Sequence, residues 1–451
     1  MYTEKELSLL AEAAAVLRDG LPEDPTAPEV AAAPEFRQVL LDAARRLQDN
    51  YPYHHPLYAG QMLKPPHPIA RLAYALAMTI NPNNHALDGG RASSAMEKEA
   101  VAGIAAMCGW ETHLGHLTGG GTMANMEALW IAREIHPDRG IAASAMAHYT
   151  HARLARVLGL PFTEIPADAS GRMDPAALAA ALAKDRIGTI VATLGTTGTG
   201  SVDPLPEILE LARHHDARVH LDAAYGGYFR LVDSVSPAAR AAFGVIVDAD
   251  SIVIDPHKHG LQPYGCGCVL FRDPAVAAHY RHASAYTYFT SDDLHLGEIS
   301  LECSRAGASA VALWATQRLL PLVRDGEFAA TLAQCRAAAV ALHGALEADE
   351  AFLTLMPPDL DIVVWAPAAA AASGISQASR RCFAEAAGLG LHLALMELPA
   401  EIAAQWWSGV EWDTPEVTVL RSVLMKPRHE RFVPAILETL RRALRSFSPR
   451  E

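Results

Sequence analysis

Short apolar runs alternate with longer segments of helical spacing through the middle of the chain. Ile187–Thr193, Ala217–Asp222 and Ser251–Ile254 are rich in β-branched and leucine residues, are too short for buried helices, and are bounded by turn residues. Between them, segments such as Leu205–His215 repeat apolar residues at intervals of three and four, the spacing of a helix packed along one face. Strands alternating with helices predict an α/β fold, with a mostly parallel sheet flanked by helices and starting near residue 66. The pattern changes after Arg324-Asp-Gly326, where a long helix over Phe328–Glu347 leads to apolar runs at 360–365 and 417–421. A helix followed by paired strands predicts a compact α+β unit. Ahead of the sheet, residues 1 to 48 read as two helices around a Pro/Ala-rich break, the second over Glu35–Leu47. The expected organisation is an N-terminal helical arm (1–65), a large α/β domain (66–325) and a small C-terminal α+β domain (326–451).

Composition narrows the setting. A chain of 451 residues, 51% of them hydrophobic, can bury a large core. Its six cysteines show no disulfide framework, and a reduced, cytoplasmic environment is expected. The opening residues are charged rather than apolar, and no run approaches the roughly 18 apolar residues of a membrane span. The net charge of −14 disfavours a nucleic-acid partner. Twenty histidines invite a metal, but the helical His-x-x-x-His with an adjacent Glu is missing, so no metal is expected.

Three motifs carry chemistry. The run Ser251–Ile254 ends in Asp255-Pro-His-Lys258, which delivers a lysine just beyond a buried strand. Burial there favours the neutral amine that Schiff-base formation with an aldehyde requires. Asp222 closes an earlier strand and is followed by Ala223-Ala-Tyr-Gly-Gly227, so its carboxylate can meet a flat ligand closely, for instance at a protonated pyridine nitrogen. Thr118-Gly-Gly-Gly-Thr122 precedes a helical segment, and glycines at a helix N-terminus form an anion cradle from free N–H groups. Each alone has a bland reading: strand end, turn or loop. Their order along one chain makes the combined signal strong.

With these motifs the chain resembles the group II pyridoxal-phosphate (PLP)-dependent amino-acid decarboxylases of fold type I, which act on glutamate, tyrosine and aromatic amino acids. The likeness runs from His55-Pro-Leu-Tyr-Ala-Gly60 to Leu420-Arg421 and is most specific over Asp255–Asp273, a block also similar to sphingosine-phosphate lyases. Ser304-Arg-Ala-Gly307 resembles the tyrosine and glutamate branches. The resemblance implies a seven-stranded-type sheet, PLP as cofactor, an L-amino-acid substrate and a homodimer. It implies that Lys258 holds PLP, Asp222 faces the ring nitrogen, Ala224 lies on one ring face and His148 on the other, with His151 as the competing choice. Gly121, Thr122, Thr197 and His257 would take the phosphate.

In the loop His282–Asp293, Tyr288 is the first choice for protonating Cα and Tyr286 the second; Arg421 would meet a substrate carboxylate. Tyr58, Tyr286 and Tyr288 are candidates for an aromatic pocket, and His85 and Arg91 for meeting an acidic side chain. Two features depart from the family: His259 stands where relatives tend to carry an aromatic or Met, and segment 81–91 matches no one branch. Competing enzyme readings are a carbon–carbon lyase or aldolase of the sphingosine-phosphate lyase type, and decarboxylative oxidative deamination to an aldehyde. A scaffold that has lost catalysis is disfavoured because both Lys258 and Asp222 are present.

Overall fold

The computed structural model of the chain describes residues 2–22, 34–184, 186–280 and 293–446. Its larger sheet has seven strands: β1 (Leu114–Thr118), β2 (Gly140–Ser144), β3 (Phe162–Ile165), β4 (Ile187–Thr193), β5 (Arg218–Asp222), β6 (Ser251–Ile254) and β7 (Gly267–Phe271). Their spatial order is β1-β7-β6-β5-β4-β2-β3. From β6 to β3 all neighbours are parallel; β7 runs antiparallel to both β6 and β1. Every residue of β2, β4, β6 and β7 is buried, as expected where helices cover both faces. This accounts for the continuous apolar runs in the sequence.

A second, wholly antiparallel sheet has the order β10-β11-β9-β8, built from β8 (Phe352–Thr354), β9 (Ile362–Pro367), β10 (Ala394–Pro399) and β11 (Glu416–Val423). Helices Glu327–Glu347, Ala372–Gly388 and His429–Arg445 bury their apolar faces against it, in a cluster around Leu342, Trp365, Leu420 and Ile436. Sequence spacing predicts a strand from residue 360, but β9 starts at Ile362. Leu360 and Asp361 are turned instead toward loops of the larger sheet, where the Asp361 carboxylate accepts a hydrogen bond from Tyr225.

The two N-terminal helices are Glu4–Asp19 and Pro34–Leu47. The first starts with a capping box in which Thr3 and Glu6 satisfy each other's backbone N–H, and Glu6 pairs with Arg71 at 2.9 Å. The second buries no residue; Phe36, Val39, Leu40 and Leu47 are all exposed along it. Residues 57–60 then stitch onto the smaller sheet, with Ala59 N–H donating to His392 and the Ala59 carbonyl accepting from Val423 N–H, both at 2.8 Å.

Candidate active site

In a parallel sheet the strand C-termini open onto a crevice. Here β4, β5 and β6 end beside the N-terminus of helix Gly121–Ile135, around a cavity of about 530 Å³. Its lining brings together Gly121, Thr122, His148, Thr197, Asp222, Ala224, His257 and Lys258, residues spread over more than a hundred positions of sequence.

Lys258 lies in the turn after β6, its N–H donating to the Asp255 carbonyl at 2.9 Å. Its Nζ is 3.1 Å from Asp255 Oδ2, so the residue three positions back supplies the counter-charge. The other oxygen of that carboxylate is buried without a hydrogen-bond partner. A Cβ on Gly121 would come within 2.6 Å of Asp255 Oδ2, which is why the helix start approaches only as glycine. Gly120 has φ +149°, a conformation that also favours glycine.

Asp222 is buried, and His151 Nε2 lies 2.8 Å from its Oδ2, while Ala224 N–H donates to Oδ1 at 3.2 Å. Burial alone would push this carboxyl up. The His151 hydrogen bond and charge, with Lys258, outweigh it and hold the group well below the usual carboxylate range. His151, the competing choice for ring stacking, therefore sits behind the acid, and His148 is the histidine that faces the cavity. Burial pushes the His148 imidazole down, so it is neutral at neutral pH, and its Nδ1 accepts the Thr150 N–H at 3.3 Å.

His257 lies within hydrogen-bond reach of the Cys266 carbonyl, with Nδ1 at 2.8 Å, and packs against Tyr264 with centroids 4.7 Å apart and ring planes tilted by 34°. With its Nδ1–H committed, Nε2 donates to an anion only when the ring is protonated, and burial disfavours that form. Glu302 also lines the cavity and accepts the Gly119 N–H at 2.9 Å.

Not every expected residue reaches the cavity. Arg421 on β11 is buried beside it: Nη1 donates to the Thr197 carbonyl at 2.5 Å and Nη2 to Gln61 Oε1 at 3.4 Å. Tyr58 is buried but lines no part of the cavity; its ring lies under Lys426 Nζ, 5.1 Å from the centroid. Arg91 lies in a separate groove with Leu76, Ile80 and Met96. His85 packs against Gly297, whose N–H donates to its carbonyl, and is likewise absent from the lining. Tyr286 and Tyr288 fall outside the described residues. Sequence reasoning missed Asp255, Glu302 and Gln61 as neighbours of the site. Only Asp255 had a signal, its place three residues before the lysine.

An amine with a nearby counter-charge, an ionised buried carboxylate and a helix N-terminus opening onto one cavity fit pyridoxal phosphate, and with the sheet order they define a fold-type-I PLP enzyme. Residues 22–365 match the family model described as the pyridoxal-dependent decarboxylase conserved domain, and the chain belongs to that family. Its reaction is the PLP-dependent decarboxylation of an amino acid. A probable L-tyrosine/L-aspartate decarboxylase of Methanocella arvoryzae is 32% identical over 276 residues, covering 60% of this chain and 70% of that protein. The L-tyrosine decarboxylase of Levilactobacillus brevis is 26% identical over 412 residues, with 67% of this chain and 66% of that protein covered. Among solved structures, Oryza sativa TDC with PLP and tryptamine superposes with a TM-score of 0.81 at 18% identity, covering 99% of this chain and 97% of that one.

Proposed function

We propose that the chain converts an L-amino acid to the corresponding amine and CO2, acting as a cytoplasmic homodimer through the cavity around Lys258. The observation that carries this reading is the Asp222 carboxylate, held ionised by His151 in the same cavity as the Lys258 amine. Pyridoxal phosphate, when bound, supplies the electron sink for the pair released from a bond broken at the substrate Cα.

The chain's residues do the rest. Lys258 Nζ is the amine that would hold the cofactor, with Asp255 beside it as counter-charge. Asp222 would pair with the protonated ring nitrogen, and Ala224 and neutral His148, which line the same cavity, would cover the ring and keep water away. The N–H groups at Gly121 and Thr122 and the Thr197 hydroxyl would hold the phosphate, and His257 would join them where the phosphate charge offsets the burial that disfavours its protonated form. Arg421, buried beside the cavity with Nη1 on the Thr197 carbonyl, is assigned the substrate carboxylate on its place at the end of β11 and would meet it from beside the Thr197 loop. Tyr288 is assigned the return of a proton to Cα on the strength of its loop's place in the sequence, with Tyr286 the second choice.

The dimer reading rests on helix Pro34–Leu47, whose apolar face finds no cover within the described residues. No described helix is long and apolar enough to cross a membrane. The named relatives make L-tyrosine and L-aspartate the first substrates to offer. Purified holoenzyme given an amino-acid panel should release CO2 and amine in equal amounts from at least one member. CO2 accompanied by aldehyde would instead establish oxidative deamination, and cleavage without CO2 would establish a carbon–carbon lyase.

A further inference from the structure

The side chain that departs from the family pattern, His259, points away from the cavity. It is fully buried between the rings of Tyr225 and Phe229, with centroids 4.7 and 5.0 Å away. Its Nε2 is 3.2 Å from Asp361 Oδ2, in polar contact though not aligned as a hydrogen bond, and burial pushes the imidazole toward its neutral form. The other Asp361 oxygen accepts the Tyr225 hydroxyl at 2.6 Å, and Tyr225 itself lines the cavity.

Asp361 belongs to a short segment, 359–362, that plugs the smaller sheet into the loops of the larger one. Asp359 takes Arg172 Nη2 at 2.7 Å, Val202 N–H at 3.1 Å and the Ser236 hydroxyl. Leu360 and Ile362 lie against glycines of the Thr197 loop. A Cβ on Gly195 would fall 2.9 Å from Leu360 Cδ1, and one on Gly200 3.2 Å from Ile362 Cβ. These two glycines have φ of +104° and +72°, so the loop is shaped to admit the segment.

The same segment leads into β9, which pairs with β11 so that Val364 is opposite Arg421. The Asp361 carbonyl also accepts the Leu424 N–H at 2.9 Å, just beyond β11. Burying a carboxylate is costly unless it is paired, and this one is paired across the seam between the two sheets at the strand edge that carries Arg421.

We propose that Asp361 is a positioning residue for the reaction: clasped by Tyr225 and His259, it registers β9 and β11 against the cavity and so sets where the Arg421 guanidinium stands over the Thr197 loop. The proposal rests on the reading of Arg421 as the group that meets the substrate carboxylate. With its side chain accepting from Tyr225 and its carbonyl from Leu424 N–H, Asp361 fixes that distance more tightly than apolar packing along the seam alone, because hydrogen-bond geometry is directional; His259 fills the space against its other oxygen. Displacing a group that binds the substrate carboxylate alike in ground and transition states weakens binding and raises KM while leaving kcat nearly unchanged.

The test uses holoenzyme in a thermodynamic cycle of Asp361→Asn and Arg421→Lys, reading KM, kcat and cofactor dissociation separately. Asp361→Asn in the wild-type background should raise KM about tenfold, with kcat and cofactor affinity within about twofold. In the Arg421→Lys background it should change KM less than about twofold, because the group it positions is already altered. An equal KM effect in both backgrounds would overturn the positioning role. An Arg421→Lys enzyme with unchanged KM would refute the Arg421 reading, and the proposal with it. If Asp361→Asn does not fold, Tyr225→Phe keeps the ring and removes only the hydroxyl, and the same non-additivity with Arg421→Lys decides the matter.

Discussion

Replacing His151 by leucine isolates the contact that sets the charge of Asp222. The imidazole Nε2 lies 2.8 Å from Oδ2, with side-chain exposures of 1% and 7%, so water cannot take over the lost bond. Leucine is close to imidazole in size, which keeps the packing term small. A hydrogen bond to a buried charge is worth about 1.5–3 kcal/mol, and that is the expected loss of stability in the cofactor-free protein at neutral pH. Since 1.36 kcal/mol corresponds to one pKa unit, the same energy raises the Asp222 pKa by about 1–2 units. The group begins well below the usual carboxylate range and so stays ionised at pH 7. His151→Leu should therefore slow turnover far less than Asp222→Asn, which removes the charge altogether.

The pH dependence has a definite sign. A carboxyl whose folded pKa is depressed stabilises the fold above its unfolded pKa, near 4, and loses that contribution as pH falls through the folded value. The stability gap between wild type and variant should be full at pH 6–8 and narrow only as pH falls through the variant's folded pKa, because the unfolded value is common to both. The acid limb of cofactor retention should move up by about 1–2 units. Denaturant unfolding of apo-protein and visible absorbance of holoenzyme across pH measure the two effects. A variant with wild-type stability and an unmoved acid limb would show that His151 does not hold the acid.

Lys258→Ala should abolish both turnover and the visible absorption band of the lysine-linked cofactor; retained activity with an unchanged band would remove the lysine from its role. Burial, with Lys64 adding to it, lowers the Lys426 amine to about 7. Between that value and its unfolded pKa the unfolded chain binds the extra proton, so stability rises with pH by up to about 1.4 kcal/mol per unit. Lys426→Met should erase that rise between pH 7 and 9 in urea unfolding, and an unchanged slope would refute it. Charging the exposed face of helix Pro34–Leu47 with Val39→Glu and Leu40→Glu should shift the protein from dimer toward monomer in light scattering and lower activity. A fully active, dimeric variant would place the interface elsewhere.

The legible parts of the fold and site share a physical origin. Strands buried on both faces must be apolar throughout, so β4 and β6 stand out as runs; residues needed at strand ends follow those runs directly, as Asp222 and Lys258 do. The glycine cradle at 119–121 is legible only through its order ahead of Asp222 and Lys258, since a glycine-rich run alone also suits a turn or loop. Partners of buried polar groups leave no such trace. His151 lies 71 positions from Asp222, Tyr225 lies 136 from Asp361, and Glu302 lies 183 from Gly119. Nothing in a periodic pattern encodes a contact at that separation. Tyr58 misleads for the same reason: its neighbour Ala59 hydrogen-bonds to His392 and Val423, and that stitching carries the ring under Lys426 rather than into the cavity.

Lys258 and His259 show how far one position of chain can separate two functions. They are consecutive in a turn, and their side chains leave it toward different regions, the amine into the cavity and the imidazole into the seam that receives Asp361. Read along the sequence, an unusual residue next to the reactive lysine belongs to the substrate, and the departure at 259 looks like a clue to specificity. In the fold its neighbours are Tyr225, Phe229 and a carboxylate from the other sheet. An aromatic or Met at 259 could fill the space but would bring no polar atom to Asp361, and the proposed positioning role treats the two residues together. A substitution at either should be judged by what it does to Arg421, 60 residues further on.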